Sequence, residues 1–313
     1  MNRAYGLVFV HNECATVHES VRRLCDTGGM TLPTEQLPLS SRVGTRRRYL
    51  MCRPDYFTVS YRINPWMFPE NATDTALAVE QWETLVEVYR GLGHQVELIE
   101  PVLGLPDMVF AANGGFTLDG VAYGARFAHH ERAAEGPAYF DWFEANGFRA
   151  VHAQGINEGE GDFMFVGGII LAGTGFRTSV AAHHEVAELF GREVLTLRLV
   201  DPRFYHLDTA IAVLDPLTDD PNANIAYLPG AFDDRSRAVL QARFPDAILV
   251  SETDAEVLGL NSISDGCNVV IAKRATGFAA QLRERGYQPV GVDLSELLRG
   301  GGGVKCCTLE LRT

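Results

Sequence analysis

Hydrophobic and polar positions follow one plan five times between about residue 48 and residue 313. In each repeat, a short β run and a second β run or turn precede a helix whose apolar residues recur at i, i+3 and i+4. A glycine or a polar loop then leads into a closing β run. The repeats begin with RRYLMCRP, DMVFAANGGF, GDFMFVGG, LDTAIAVLD and NSISDGCNVV. This pattern predicts an α/β fold built from five ββαβ-like units.

The repeated unit also predicts the domain organisation. A unit of roughly 45 to 60 residues cannot bury both faces of its sheet alone, so the five units should pack around a common axis. The turns that carry polar motifs would then converge at one end of that axis. We interpret residues 46–313 as one catalytic domain and residues 1–45, which differ in pattern, as an N-terminal extension of unknown role.

The extension raises the alternative of a zinc site, because it contains His11, Cys14, His18 and Cys25. Their spacing matches no standard zinc finger. An extension without a metal is therefore the favoured interpretation.

Composition excludes several classes of function. With 46% hydrophobic and 21% charged residues, the chain has the balance of a soluble globular protein. Its net charge of −13 argues against binding to nucleic acid or to an anionic membrane, but it would attract a small cation. No apolar run is long enough for a transmembrane helix. Six cysteines in 313 residues do not form a disulfide framework, so we expect a cytoplasmic protein. A homo-oligomer stays open.

Two adjacent cysteines near residue 313 are the first candidates for chemistry. The segment GGGGVKCCTLELRT alternates like a β-strand, which would place Cys307 on the apolar face with Leu309 and Leu311. Cys306 would share the more polar face with Thr308 and look toward the axis. Glycines before it permit a tight turn and a close approach by a ligand. An inert buried pair and a vicinal disulfide are the alternatives.

A thiolate nucleophile needs a nearby base or positive charge. In FYHLDTAIAVL, His206 is followed two residues later by Asp208, and INEGEGDFMFVGG offers Glu158, Glu160 and Asp162 among glycines. Each group alone is consistent with a structural histidine or a solvated turn. Their coincidence at the edges of the repeated units favours a cysteine-dependent site.

The motifs together resemble the guanidino-group modifying superfamily of arginine deiminases, dimethylarginine dimethylaminohydrolases, amidinotransferases and arginine dihydrolases. The resemblance covers about residues 48–312 and rests on YLMCRPDYFTVSYRINPWM, LPDMVFAANGGF, NEGEGDFMFVGG, GTGFRTS, YHLDT and GGGGVKCCTLEL, in that order. It implies a pentein fold, a five-bladed α/β propeller. It also implies a small arginine-like guanidino substrate, with no cofactor and no metal.

The resemblance assigns catalytic roles to individual positions. Cys306 matches the nucleophile and His206 the catalytic histidine. Glu158 matches the acid that partners the histidine. The acidic turn is one residue longer here, however, so Glu160 competes for that role.

The resemblance also implies the substrate contacts. Phe110 would pack against the guanidinium plane, and Asp208 would be a carboxylate that binds it. Arg177 would grip the substrate α-carboxylate, with Arg132 as its partner. Asn113 stands where deiminases have an acid.

The implied chemistry is attack of the Cys306 thiolate on the guanidinium carbon to form a covalent thiouronium intermediate. His206 would protonate the departing amine and then activate water. Because Asn113 offers both a donor and an acceptor, it could also hold a neutral ureido product, so the first choice is an arginine dihydrolase that releases ornithine, ammonia and carbon dioxide.

Three alternatives stay open. The closest is dimethylarginine hydrolysis to citrulline and a methylamine. An amidinotransferase would use the same residues. The third is a non-enzymatic propeller like that of a ribosome-binding anti-association factor.

Overall fold

The structure is a computed structural model that describes residues 42–216 and 223–313, which belong to one compact unit. Within these residues the strands are β1 (Arg48–Cys52), β2 (Gln95–Ile99), β3 (Gly115–Leu118), β4 (Val121–Gly124), β5 (Arg149–Val151), β6 (Phe163–Val166), β7 (Ile169–Thr174), β8 (Val194–Arg198), β9 (Ile211–Val213), β10 (Ile225–Tyr227), β11 (Ile248–Leu249), β12 (Ile263–Ser264), β13 (Asn268–Ala272), β14 (Gln288–Val292) and β15 (Leu309–Glu310). The helices are α1 (Thr75–Gly91), α2 (Glu135–Ala145), α3 (Val180–Phe190), α4 (Asp234–Arg243), α5 (Glu252–Ala255) and α6 (Thr276–Glu284).

The described strands form five three-stranded sheets of one layout. In each sheet a middle strand pairs antiparallel with one neighbour and parallel with the other, and the parallel connection passes through a helix. The sheets have the strand orders β15-β1-β2, β3-β4-β5, β6-β7-β8, β11-β10-β9 and β12-β13-β14. The predicted α/β fold with five units is confirmed at this level.

Local sequence explains where the longer helices begin and end. Asp74 caps α1 by accepting a hydrogen bond from the Leu77 N–H, and Ser179 caps α3 in the same way. Helix α3 ends at Gly191, whose φ of 61° lies in the left-handed region that favours glycine. One face of α1 is buried, and it includes Leu85. These helices pack against the sheets, and the polar motifs lie in the turns between the elements.

Three short 3-10 turns bring the predicted site residues together. The turns Ala111–Gly114, Gly159–Gly161 and Leu207–Thr209 each precede the first strand of a unit, namely β3, β6 and β9. The first turn contacts the second, and the second contacts the third. These three motif-bearing turns therefore lie together, which agrees with the predicted convergence for this part of the chain.

The segment after the glycines differs from its prediction. Only Leu309–Glu310 is a strand, and it completes the first sheet by pairing antiparallel with β1. Cys306 and Cys307 lie in a turn instead, because Cys307 N–H donates to the Gly303 carbonyl and Thr308 N–H donates to the Lys305 carbonyl. The prediction of a strand through both cysteines was wrong, so strand alternation does not distinguish them.

The last residues of the predicted extension that the structure describes contact the main unit. Thr45 N–H donates to the Asp265 carbonyl at 2.8 Å, and Arg42 pairs with Asp215 at 2.7 Å. The zinc alternative lies outside the described residues, and the domain boundary at residue 46 stays a prediction. Among the helices of the described ranges, none has the length and apolar content needed to cross a membrane.

Candidate active site

The predicted histidine and acid form a buried pair. His206 Nε2 lies 2.7 Å from Glu158 Oε2, and the two residues are 1% and 0% exposed. Each immediately precedes one of the 3-10 turns, so the fold of the turns fixes both side chains. The second ring nitrogen of His206, Nδ1, has no hydrogen-bond partner among the described residues. The imidazole is thus oriented at one nitrogen and open to a proton at the other.

Arg177 is the counter-ion of Glu158 in this structure. Its Nη1 lies 2.9 Å and 3.2 Å from the two carboxylate oxygens, and its Nη2 donates to the Ile63 carbonyl at 2.8 Å. The guanidinium also lies over the Tyr205 ring, 4.7 Å from its centroid. The role predicted for Arg177 at a substrate carboxylate stays a prediction, because its observed partners are protein groups.

The charge of Glu158 follows from these contacts. Burial alone would raise its pKa, but the Arg177 guanidinium and the His206 hydrogen bond lower the pKa well below its usual value. Glu158 is therefore a carboxylate at neutral pH. An ionised acceptor strengthens the hydrogen bond that orients His206.

Cys306 contacts Asp208 and a residue that the sequence did not single out. Its sulfur donates to Asp208 Oδ2 at 3.3 Å and accepts from Asn261 Nδ2 at 3.1 Å. Asp208 lies two residues after His206 in the same turn, so the thiol is adjacent to the histidine turn without a hydrogen bond to the imidazole. Cys307 belongs to an apolar cluster around α1.

Burial and the repulsion between their negative charges favour the protonated forms of Cys306 and Asp208. Burial, followed by the charge of Asp208, raises the pKa of the Cys306 thiol well above its usual value. Burial raises the pKa of Asp208 to about 7, against the opposing effect of Lys305. A cation placed between the thiol and the carboxylate would reverse both shifts, since a nearby positive charge favours both anions.

Arg132 holds the side chain of Asn113. Its Nη1 donates to Asn113 Oδ1 at 2.7 Å, while Nε and Nη2 bind the Glu135 carboxylate at 2.9 Å and 2.7 Å. Because Oδ1 accepts from the arginine, the amide nitrogen must point the other way, and it donates to the Glu158 carbonyl at 3.3 Å. Arg132 thus fixes the Asn113 amide, and no contact places it beside Arg177.

Glu160 lies in a different ion-pair cluster. Its carboxylate accepts from Lys305 Nζ at 2.7 Å and from the Glu310 N–H at 2.9 Å, and it pairs with Arg312. The structure therefore brings Glu158, and not Glu160, to His206. Glu160 instead ties the turn before β6 to the segment that carries Cys306.

Phe110 packs against the glycines that precede Cys306. A Cβ on Gly302 would lie 2.2 Å from Phe110 Cε1, and one on Gly300 would lie 2.9 Å from Phe110 Cζ. The Phe57 ring meets Phe110 edge-on, with 6.1 Å between centroids. Glycine is needed here for close approach, and the aromatic ring sets the course of the chain toward the thiol.

Buried polar atoms without partners lie around this site. Among the described residues these include Asp107 Oδ1, His206 Nδ1 and Asp208 Oδ1. Tyr61 and Arg132 contact only the other oxygen of Asp107, at 2.9 Å and 3.8 Å. Because an unpaired buried acceptor is costly, such atoms indicate where a ligand rich in N–H groups would bind.

Comparison with known proteins decides the family. A family profile described as "N,N dimethylarginine dimethylhydrolase, eukaryotic" matches residues 64–313. The chain belongs to the dimethylarginine dimethylaminohydrolase family. The N(G),N(G)-dimethylarginine dimethylaminohydrolase of Mycobacterium tuberculosis is 55% identical to it over 265 residues, which are 85% of this chain and 86% of that protein.

The chain is also similar to proteins that are named arginine dihydrolases. The bifunctional arginine dihydrolase/ornithine cyclodeaminase AgrE of Nostoc sp. is 36% identical over 274 residues, which are 85% of this chain but 38% of that protein. The crystal structure of the N-terminal domain of ArgZ bound to substrate, an arginine dihydrolase from cyanobacteria, superposes with a TM-score of 0.80. It is 36% identical and covers 85% of this chain and 98% of that domain.

A more distant solved structure shares the fold of this chain. The dimethylarginine dimethylaminohydrolase adduct with 4-chloro-2-hydroxymethylpyridine has a TM-score of 0.68 and 21% identity. The predicted resemblance to guanidino-group modifying enzymes is confirmed by these relatives. The chain is an enzyme, a hydrolase that acts on guanidino groups.

Sequence reasoning missed some residues of this site. Asp107 stands in LPDMVFAAN, the motif that also contains Phe110 and Asn113, so the sequence carries a signal for it. Asn261 lies in LGLNSISDG, where nothing distinguishes it from a loop asparagine. Tyr205 directly precedes His206 and supports Arg177 with its ring. Its role depends on packing that the local sequence does not express.

Proposed function

We propose that this family member hydrolyses arginine through a covalent intermediate on Cys306, with His206 as acid and base and Glu158 as its partner. The observation that carries the proposal is the buried Glu158–His206 pair beside a thiol that contacts Asp208. Nucleophile, acid–base group and orienting carboxylate are the three parts that this kind of catalysis needs.

Substrate binding would supply the missing positive charge. A guanidinium group would donate to Asp208 and to the unpartnered oxygen of Asp107, by charge-assisted hydrogen bonds in its plane. Its charge would lower the pKa of the Cys306 thiol, which is high in the structure because of burial and Asp208. The nucleophile would thus become reactive when the correct ligand is present.

The covalent step follows with balanced atoms. The sulfur of Cys306 forms a bond to the guanidinium carbon, and a C–N bond breaks. The proton that the thiol gives up leaves with the departing amine, carried by His206. His206 then removes a proton from water, the resulting oxygen attacks the thiouronium carbon, and the C–S bond breaks to restore the thiol. No step calls for a metal or an organic cofactor.

The Asn113 amide supports arginine dihydrolysis as the first candidate. One N–H of Nδ2 points to the Glu158 carbonyl, and the second has no hydrogen-bond partner among the described residues. That N–H could donate to the carbonyl oxygen of a neutral ureido group, which a carboxylate would repel. Citrulline could then be attacked a second time, with release of ammonia, carbon dioxide and ornithine.

The solved dihydrolase structures give independent support. One carries serine in place of a cysteine, and another, covalently bound to a reaction intermediate, carries serine in place of an asparagine. Those two positions are separated by the same number of residues as Asn113 and Cys306. This spacing favours equivalent places for the two residues in this chain.

Dimethylarginine hydrolysis is the second candidate, because the relative of 55% identity carries that name. It would use the same three residues and end at citrulline and dimethylamine.

The five sheets would form a closed α/β propeller around the site, as β15 contacts β3 and β9 contacts both β6 and β12.

Product analysis tests the two candidates. The purified chain is incubated separately with arginine, citrulline and asymmetric dimethylarginine, and amino acids and amines are quantified. We expect ornithine from both arginine and citrulline, and loss of turnover by at least about a thousandfold in Cys306→Ser. Citrulline as the end product from arginine would contradict the dihydrolase proposal, and citrulline with dimethylamine from dimethylarginine alone would establish the second candidate.

A further inference from the structure

The side chain of Asn261 contacts both the backbone and the sulfur of Cys306, the proposed nucleophile. Its side-chain Nδ2 donates to Cys306 Sγ at 3.1 Å, and its Oδ1 accepts from the Cys306 N–H at 3.0 Å. The same Nδ2 lies 3.1 Å from the Asp208 carbonyl, and the Asn261 carbonyl accepts from Lys305 N–H at 3.3 Å. The residue is 0% exposed and lies between α5 and β12, far in sequence from its partners.

These contacts fix the orientation of the amide. The Cys306 N–H and the Asp208 carbonyl demand an acceptor on one side and a donor on the other, which only one orientation of Asn261 provides. The donor is therefore aimed at the sulfur and cannot turn away without losing two hydrogen bonds. The neighbouring Asp208 accepts the thiol hydrogen, and the Asn261 amide donates a side-chain N–H to the sulfur.

We propose that Asn261 is a positioning residue that holds the sulfur of Cys306 in place and stabilises its thiolate. The inference rests on the proposed function, in which Cys306 is the nucleophile. A hydrogen bond to a charged sulfur is stronger than one to a neutral thiol, so the Asn261 N–H favours deprotonation. Because the donor is uncharged, it does this without repelling a cationic substrate, as a lysine in that place would.

The test uses two variants of the full chain. Asn261→Asp keeps the shape and replaces the donor with an acidic oxygen, while Asn261→Ala removes both side-chain contacts. Ser262→Ala is the control, because Ser262 is the adjacent buried residue and its hydroxyl has no hydrogen-bond partner among the described residues. The measurements are kcat and KM for arginine across pH, and the rate at which iodoacetamide alkylates Cys306, followed by mass spectrometry of its peptide.

We expect alkylation of Cys306 at pH 7.5 to be at least about tenfold slower in Asn261→Asp than in the wild type. The rise of kcat with pH should move to higher pH in both variants, with a smaller change in KM. Ser262→Ala should match the wild type. Unfolding midpoints are measured in parallel, and Asn261→Ala replaces Asn261→Asp if the latter does not fold.

Other outcomes overturn the inference. An unchanged pH profile, or a loss of kcat with no shift along the pH axis, would mean that Asn261 only supports the fold. Cys306→Ser separates this failure from a failure of the proposed function. If that variant retains turnover, Cys306 is not the nucleophile and both proposals fall, whereas a dead Cys306→Ser with an unaffected Asn261→Asp removes the inference alone.

Discussion

Asp208 shows how burial changes the protonation of a single side chain. It is 0% exposed, accepts a hydrogen bond from the Cys306 thiol and has one oxygen without a partner in the described residues. With a pKa of about 7, it is partly protonated in the free protein at neutral pH. A guanidinium would hold it ionised, so ligand binding and proton release are linked at this residue.

Asp208→Asn should therefore stabilise the protein at alkaline pH. The pKa of Asp208 is raised on folding from about 3.9, so the folded state holds more protons between pH 4 and 7 and the free energy of unfolding falls as pH rises through that window. Asparagine removes this penalty. We expect a gain on the order of 2–4 kcal/mol at pH 8 and almost none at pH 4, measured by urea unfolding.

Asp141→Asn is the control for this experiment, since it makes the same change on the exposed side of α2. It should have little effect at either pH. Turnover of Asp208→Asn should fall even though its stability rises. A gain of the same size at both pH values would show that packing, and not proton binding, explains it.

At the scale of elements, the glycines before Cys306 fix the distance between the turn and Phe110. A methyl group on Gly302 would overlap the ring, which is itself held by Phe57. The ring cannot move away freely because Phe110 is 4% exposed and packed in the cluster that includes the thiol. The loop is therefore a rigid support for Cys306.

Gly302→Ala should lower both stability and turnover. We expect a loss of about 1–3 kcal/mol in the free energy of unfolding from overpacking, together with reduced kcat because the displaced loop carries Cys306. Denaturant unfolding and turnover of arginine measure the two effects. Gly91→Ala, at the end of α1 with nothing within 4 Å of the new methyl group, should be as stable as the wild type and equally active. Equal behaviour of the two variants would disprove the rigid-support interpretation.

The elements also show what the sequence could predict. The five units were predictable because most of their helices have a clear apolar period and because the motifs around Asn113, Glu158 and His206 each precede a β run. The alternating pattern after the glycines gave a wrong prediction of a strand through the two cysteines. Hydrogen bonds within residues 303–308 form a turn there, and pairing with β1 begins only at Leu309. Strand pairing with a partner more than 250 residues away is not encoded in local alternation.

The site was predictable for residues that stand in motifs and not for those placed by packing. Cys306, His206 and Glu158 stand at turns that the repeat pattern identified, and the structure brings the last two into contact. Which acid each arginine meets depends on distant segments. Arg177 forms an ion pair with Glu158, and Arg132 forms one with Glu135. The sequence pattern did not specify either contact.

At the scale of the whole molecule, charge distinguishes arginine from citrulline, the substrates of the two steps of the proposed dihydrolysis. The chain carries a net charge of −13, and its field attracts arginine but not neutral citrulline. Salt weakens such long-range attraction, because the Debye length falls from about 10 Å at 0.1 M to about 3 Å at 1 M. The contacts inside the buried site are screened much less.

We therefore expect KM for arginine to rise severalfold between about 0.05 and 0.5 M sodium chloride, while KM for citrulline changes little. Initial-rate kinetics with both substrates on the same preparation provide the measurement, with citrulline as the internal control. A parallel rise for both would indicate a general effect of salt on the enzyme, and no rise for arginine would exclude steering by the molecular field.

The pairing of β15 with β1 has a consequence for the growing chain. During synthesis β1 is made early, and one of its edges waits without a neighbour until Leu309 and Glu310 are added. Cys306 is made just before them. A chain that stops between β2 and Cys306 thus lacks the proposed nucleophile and leaves one edge of β1 unpaired, a form suited to removal by proteases.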